Sequence, residues 1–115
     1  MLKDRLRQAL IDQAQTGRTT TYRELAHRLG LEPPHTIQRI TQALESLMEE
    51  DVEAGRPILS TICVSKMQPG IPARGFFLAG QRLGIFCGDP SGLEAQAFHA
   101  LELQRAFSFY CDSLR

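Results

Sequence analysis

Apolar residues recur every three or four positions in three stretches of this 115-residue chain, a pattern typical of amphipathic helices. The first stretch predicts a helix over residues 2–15. The second predicts a helix over residues 34–52, with Pro34 at the first position, where a missing N–H costs nothing. The third predicts a last helix over residues 89–114, capped by Asp89.

The segment between the first two of these helices carries signals for a strand and a short helix. Residues 18–20 are β-prone and predict a very short strand. Thr21 and Glu24 have the spacing of a capping box, in which the side chain of each residue accepts a hydrogen bond from the backbone N–H of the other. Gly30 is suited to end the short helix that follows, because glycine readily adopts the left-handed conformation.

The second half of the chain predicts a strand and a loop. The β-branched run within residues 58–64 indicates a strand, and the prolines and glycines of residues 66–75 exclude regular structure there. Residues 76–86 are apolar and fit either a strand or a short helix. Helix, strand, helix, helix, strand, loop is the order of a winged helix. We therefore predict a mainly α fold with a small antiparallel sheet: a winged helix-turn-helix with an added C-terminal helix.

Length and composition predict one domain over residues 1–115, with residues 1–86 as its core and residues 66–75 as the wing. No apolar run is long enough to span a bilayer, and the first residues lack the features of a signal peptide, so we expect a cytoplasmic protein with no membrane partner. The three cysteines, Cys63, Cys87 and Cys111, form neither a CxxC pair nor a disulfide framework. We expect no metal and no other cofactor.

Formal net charge is zero, but the charges are segregated along the chain. Residues 1–44 hold seven Lys and Arg against four Asp and Glu, and residues 45–53 hold five acidic residues and no basic one. Residues 54–86 hold four basic residues and no acidic one. Such segregation either forms a local basic surface or is ordinary solvated surface.

The stretch GRTTTYRELAHRLG, residues 17–30, resembles the start of the DNA-binding domain of the O6-alkylguanine DNA alkyltransferases and alkyltransferase-like proteins. The resemblance covers about residues 1–65 and implies a DNA-binding scaffold in which the Tyr22 hydroxyl approaches a phosphate. The family's intercalating arginine falls at Gln38, and its Pro-Cys-His-Arg segment is absent from RPILSTICV. Alkyl transfer by Cys63 is therefore not expected.

Two functions and one exclusion follow. The first hypothesis is a non-catalytic protein that binds double-stranded DNA, and the second is a protein-interaction module or homodimer that uses the aromatic last helix. No catalytic residue set and no metal-binding spacing of histidines is present. For Tyr22, the alternative to a phosphate contact is a partly buried ring with a solvated hydroxyl, and the sequence favours the two equally. The residues assigned to DNA are Thr20, Thr21, Tyr22, Arg23, His35, Gln38, Arg39, Gln42, Lys66 and Arg74, and those assigned to an interface are Phe107, Phe109 and Tyr110.

Overall fold

A computed structural model of the chain describes residues 2–67 and 70–112, and it is mainly helical. Gln68 and Pro69 of the predicted wing, and residues 113 and 114 of the predicted last helix, lie outside the described residues. The elements in chain order are α1 (Leu2–Gln15), β1 (Thr20–Thr21), α2 (Tyr22–Arg28), α3 (Thr36–Ala54), a 3-10 turn (Leu59–Ile62), β2 (Cys63–Val64), α4 (Arg74–Arg82) and α5 (Leu93–Asp112).

The sheet is parallel, so the prediction of a small antiparallel sheet is wrong. β1 and β2 have two residues each and pair in parallel, Thr20 with Cys63. The chain reaches β2 from β1 through α2, α3 and the 3-10 turn, a crossover long enough for two strands to run in the same direction.

No strand is present in the described part of the predicted wing, residues 66–67 and 70–75, and the winged-helix prediction therefore fails. The Ser65 N–H donates to the Ile71 carbonyl at 2.8 Å, which closes this segment as a short loop. The chain then turns at once into α4, whose first residue is Arg74. The prediction that residues 66–75 lack regular structure is therefore wrong at its end, because Arg74 and Gly75 are the first residues of α4.

The β-branched segment 58–64 forms mostly the 3-10 turn, because neighbouring groups satisfy its polar atoms. The Leu59 N–H donates to Asp51 Oδ2 at 3.1 Å, and Ser60 Oγ donates to the Leu44 carbonyl at 2.8 Å. Thr61 Oγ1 donates to the Ile58 carbonyl at 2.7 Å. Such tertiary and local hydrogen bonds override the β-propensity of these residues.

The ends of the helices follow the sequence signals unevenly. The capping box at α2 is confirmed: the Glu24 N–H donates to Thr21 Oγ1 at 3.2 Å, and the Thr21 N–H donates to Glu24 Oε1 at 3.1 Å. α3 begins two residues later than predicted, because His35 is its N-cap in a left-handed conformation. Asp89 does not cap α5; it accepts the Ser91 N–H at 2.9 Å in a turn before the helix.

Two adjoining apolar clusters form the core. α1, α2, α3, the 3-10 turn and α5 share the larger cluster, which includes Leu6, Leu10 and Leu47. The smaller cluster gathers the phenylalanines of α4 and the following loop against Met48 of α3. α3 contributes to both clusters, so the packing fixes which of its faces remains exposed.

A buried carboxylate, that of Asp51, ties α3 to its neighbours. It is fully buried, and its Oδ1 accepts Arg7 Nη1 from α1 at 2.9 Å and Arg56 Nε at 3.1 Å. The Leu59 N–H donates to the other carboxylate oxygen of Asp51, Oδ2. Burying a carboxylate is costly unless it is paired and hydrogen-bonded, and these three contacts link the C-terminal half of α3 to α1 and to the segment that follows α3.

Candidate nucleic-acid interface

Tyr22 is the first residue of α2, placed there by the capping box that begins at Thr21. Its hydroxyl accepts the Ala73 N–H at 2.8 Å, and it thereby joins α2 to the start of α4. Burial raises the pKa of Tyr22 to about 12 despite that hydrogen bond. The ring is partly buried, and because a phenol is both donor and acceptor, its O–H can still donate to a ligand.

A small cavity lies beside the Tyr22 ring. Its volume is about 20 Å³, room for roughly one water molecule. Thr41, Glu45, Ser60 and Phe76 are among its other lining residues. The cavity is too small for an organic cofactor, and its significance here is that α2, α3 and α4 meet around Tyr22.

The exposed side of α2 carries basic side chains. Arg23, His27 and Arg28 are exposed and line a shallow groove together with Gln13 of α1. Arg28 Nη1 donates to Gln13 Oε1 at 3.0 Å, whereas Arg23 makes no ion pair with any described residue. Thr20 is only 3% exposed within β1, so its side chain has little surface to offer a ligand.

The first half of α3 presents the polar residues that the sequence assigned to its outer face. His35, Gln38, Arg39 and Gln42 are all exposed, and Ile37 lies among them with 48% of its surface exposed. Arg39 and Gln42 share a cleft with Lys3 of α1. The first turn of α3 contains no acidic residue, so this end of the helix combines its positive dipole with a basic side chain.

The segment before α4 contributes two more exposed cations. Lys66 is exposed in the loop, and Arg74 is exposed at the first position of α4, directly after the Ala73 N–H that binds Tyr22. The Tyr22 hydrogen bond therefore brings the end of this loop to the N-terminus of α2. The structure places Arg74 near Tyr22, but it records no direct contact between the α2, α3 and loop cations.

Three of the five carboxylates in the acidic segment of α3 form ion pairs, whereas Glu45, Glu53 and several exposed basic residues form none among the described residues. Glu49 pairs with Arg82, Glu50 with Lys3 and Arg7, and Asp51 with Arg7 and Arg56. Lys3 and Arg7 hold the pKa of Glu50 below its usual value. Within residues 2–67 and 70–112, the exposed cations without a carboxylate partner at ion-pair distance are Arg5, Arg18, Arg23, Arg28, Arg39, Lys66 and Arg74.

Cys63 lies in β2, completely buried, and is not positioned as a nucleophile. Burial, and secondarily the charge of Glu24, raise the pKa of its thiol well above the usual value. A protonated, buried thiol is a poor nucleophile. No cluster of three or more His, Cys, Asp or Glu side chains suited to a metal ion occurs in the part of the chain that the structure describes.

The predicted interface residues of α5 separate into buried and exposed positions. Tyr110 is buried, and Phe107 is partly buried against the same cluster, whereas Phe109 has 48% of its surface exposed. Two exposed apolar residues of α5, Leu93 and Leu101, were missed as interface candidates. The signal for them was available, because apolar residues surround this helix rather than forming one stripe.

Comparisons with protein-family models, curated proteins and solved structures found no match to this chain. Among the described residues, no helix has the length and apolarity required to cross a membrane.

Proposed function

We propose that this protein binds double-stranded DNA, without catalysis, through α2, the first half of α3 and the end of the loop before α4. The observation that carries the proposal is the distribution of ion pairs. Glu49, Glu50 and Asp51 of the acidic segment are engaged by basic side chains, while the exposed cations of α2 and the first half of α3 lack carboxylate partners among the described residues. Unpaired surface cations are the groups that bind phosphate and release counterions.

The proposal divides the residues by task. Arg23, which follows Tyr22 in α2, and Arg74, which follows Ala73, bind phosphate, and the hydrogen bond between Tyr22 and Ala73 joins the two segments that carry them. Gln38, Arg39 and Gln42 face the bases from the exposed first half of α3, where amide and guanidinium groups match the base edges of the major groove. The resemblance of residues 17–30 to an alkyltransferase DNA-binding segment points to the same partner.

The acidic second half of α3 sets a limit on this binding. Glu53 is exposed and has no cation partner within the described residues. Phosphates approaching that end are repelled, so the surface contacts only a few phosphates. We therefore expect nonspecific affinity in the micromolar range or weaker at physiological salt.

Fluorescence anisotropy with a labelled duplex at low salt tests the proposal. The double variant Arg23→Ala/Arg39→Ala is expected to lose most of the binding. Arg82→Ala is the matched control, because Arg82 is an exposed arginine that already pairs with Glu49 at 2.9 Å. Absence of binding by the unmodified protein at high micromolar concentration, or equal losses in the control and the double variant, refutes the proposal.

A further inference from the structure

A cleft lies between the C-terminal end of α3, the segment after it, the loop that follows α4 and one side of α5. Its volume is about 340 Å³, which falls within the range of about 300–1,000 Å³ that is usual for ligand sites. At roughly 30 Å³ for each water displaced, this volume suits a ligand with on the order of ten non-hydrogen atoms. We call it the α3–α5 cleft, and none of the residues that line it is assigned to DNA.

The walls of the α3–α5 cleft are mainly apolar. Ile58 is buried, while Val52, Ile85 and Phe98 are only partly buried and pack against the smaller core cluster. Phe98 is followed on the same side of α5 by residues 102 and 105, because steps of four and three residues keep helical side chains in line. The apolar wall therefore continues into a polar end along one helix.

Arg56 and Arg105 supply the accessible polar groups of the cleft. Their side chains are 40% and 51% exposed, whereas that of Glu102 is 9% exposed and offers a ligand little surface. Arg56 donates to Asp51 through Nε, and Arg105 donates to Glu102 through Nη1. A guanidinium has further N–H groups besides these, so both arginines keep donors for an anion.

The charges around Arg56 do not cancel. The ion-pair network to which it belongs contains three cations, Lys3, Arg7 and Arg56, and two carboxylates, Glu50 and Asp51. One positive charge is therefore in excess, and Arg56 is the member of the network that lines the cleft. The arginine of α5 and its glutamate partner form a neutral pair, so the charge complementary to this cleft is negative.

We propose that the α3–α5 cleft binds a small organic acid, an apolar body that ends in one carboxylate. The body covers the apolar walls, and the carboxylate accepts hydrogen bonds from Arg56 and Arg105, since the fork of a guanidinium matches a carboxylate. The ligand is small and both arginines are partly solvated, so the affinity is weak, in the millimolar range. This site is independent of the DNA proposal, because the two surfaces share no residue.

Titration with octanoate, followed by amide NMR, tests the site. Octanoate matches the proposed ligand in size, and saturable shifts are expected at the amide resonances of Val52, Ile58 and Phe98. Octylammonium has the same tail and the opposite charge, and it should bind about tenfold more weakly, the effect of a charge-assisted hydrogen bond reduced by solvent. Equal affinities for the two compounds overturn the proposal. Octanoate shifts confined to Leu101 and Phe109, the exposed apolar residues elsewhere on α5, overturn it as well.

Two substitutions in α5 should change octanoate affinity in opposite directions. Arg105→Gln removes a cation and should weaken binding about fivefold, the effect of a partly exposed charge pair. Glu102→Gln removes the neighbouring negative charge and should tighten binding. Arg82→Gln is the matched control, because Arg82 is 54% exposed, pairs with one glutamate and does not line the cleft. Equal losses in the Arg105 and Arg82 variants overturn the proposal. If Arg105→Gln fails to fold because Glu102 loses its partner, unchanged or weaker binding by Glu102→Gln overturns it equally.

Discussion

Removing the Asp51 carboxylate should cost the fold about 3 kcal/mol, the low end of the range for breaking a buried ion pair. The Leu59 N–H, which donates to Asp51 at 3.1 Å, is left without its acceptor, and an unsatisfied buried donor costs about 1–3 kcal/mol. The two arginines lose their buried partner as well. Their side chains are 21% and 40% exposed, so water compensates much of that loss, and we use the low end of the range.

The assay is urea denaturation of Asp51→Ala followed by circular dichroism, with the midpoint converted to a free energy of unfolding. Glu49→Ala is the matched control, because Glu49 lies on the same helix and its pair with Arg82 is about half exposed on both sides. Exposed pairs contribute under about 1 kcal/mol. A loss below about 1 kcal/mol for Asp51→Ala, or a loss equal to that of Glu49→Ala, would refute the reasoning.

Three further predictions concern α2 and the buried thiol. Thr21→Ala should lower the free energy of unfolding by about 1 kcal/mol, the usual cost of a lost N-cap, and an unchanged urea midpoint would contradict the capping box. Tyr22 should ionise near pH 12 in an absorbance titration at high pH; because its pKa is raised on folding, its contribution to stability is complete below about pH 10 and is lost as the pH rises toward 12. In the Tyr22→Phe variant the absorbance change assigned to Tyr22 should be absent, and only that of Tyr110 should remain. A thiol reagent should label exposed Cys87 rapidly and Cys63 only on unfolding, and mass spectrometry after incubation with alkylated DNA should find no alkyl group on Cys63.

The helices were predictable where local signals and tertiary packing agree. The bounds of α1 match the apolar periodicity, and the capping box placed the start of α2 correctly. The start of α5 was misplaced, since Asp89 and Pro90 carry helix-start signals but belong to a turn. In that turn Ser91 donates both its N–H and its hydroxyl to Asp89, a local alternative to capping.

The sheet and the wing were not predictable from local pattern. The segment around Leu59 is rich in β-branched residues. The Leu59 N–H nevertheless donates to the side chain of Asp51, eight residues earlier, and this hydrogen bond favours a 3-10 turn. Whether two strands of two residues pair in parallel or antiparallel depends on the path of the chain through α2 and α3. No local sequence signal predicts that path. Arg74 was assigned to a wing because prolines and glycines precede it, and the apolar residues that follow it pack as a helix.

The candidate site was predictable as a set of residue types but not as an arrangement. Periodicity placed Gln38, Arg39 and Gln42 on the outer face of α3, where they are exposed. The hydrogen bond between Tyr22 and Ala73 joins residues far apart in the sequence, and no pattern indicated it. The ion pairs that Glu50 and Asp51 form with Arg7 and Arg56 were likewise not indicated by any sequence pattern.

The salt dependence of duplex binding tests the DNA proposal most directly. If Arg23 and Arg39 each bind a phosphate, the slope of log affinity against log salt concentration should become shallower by about 0.9 for each arginine replaced by alanine. Arg82→Ala should leave the slope unchanged, because this arginine is held by Glu49. A slope that is the same in the unmodified protein, the double variant and the Arg82 control would contradict the account.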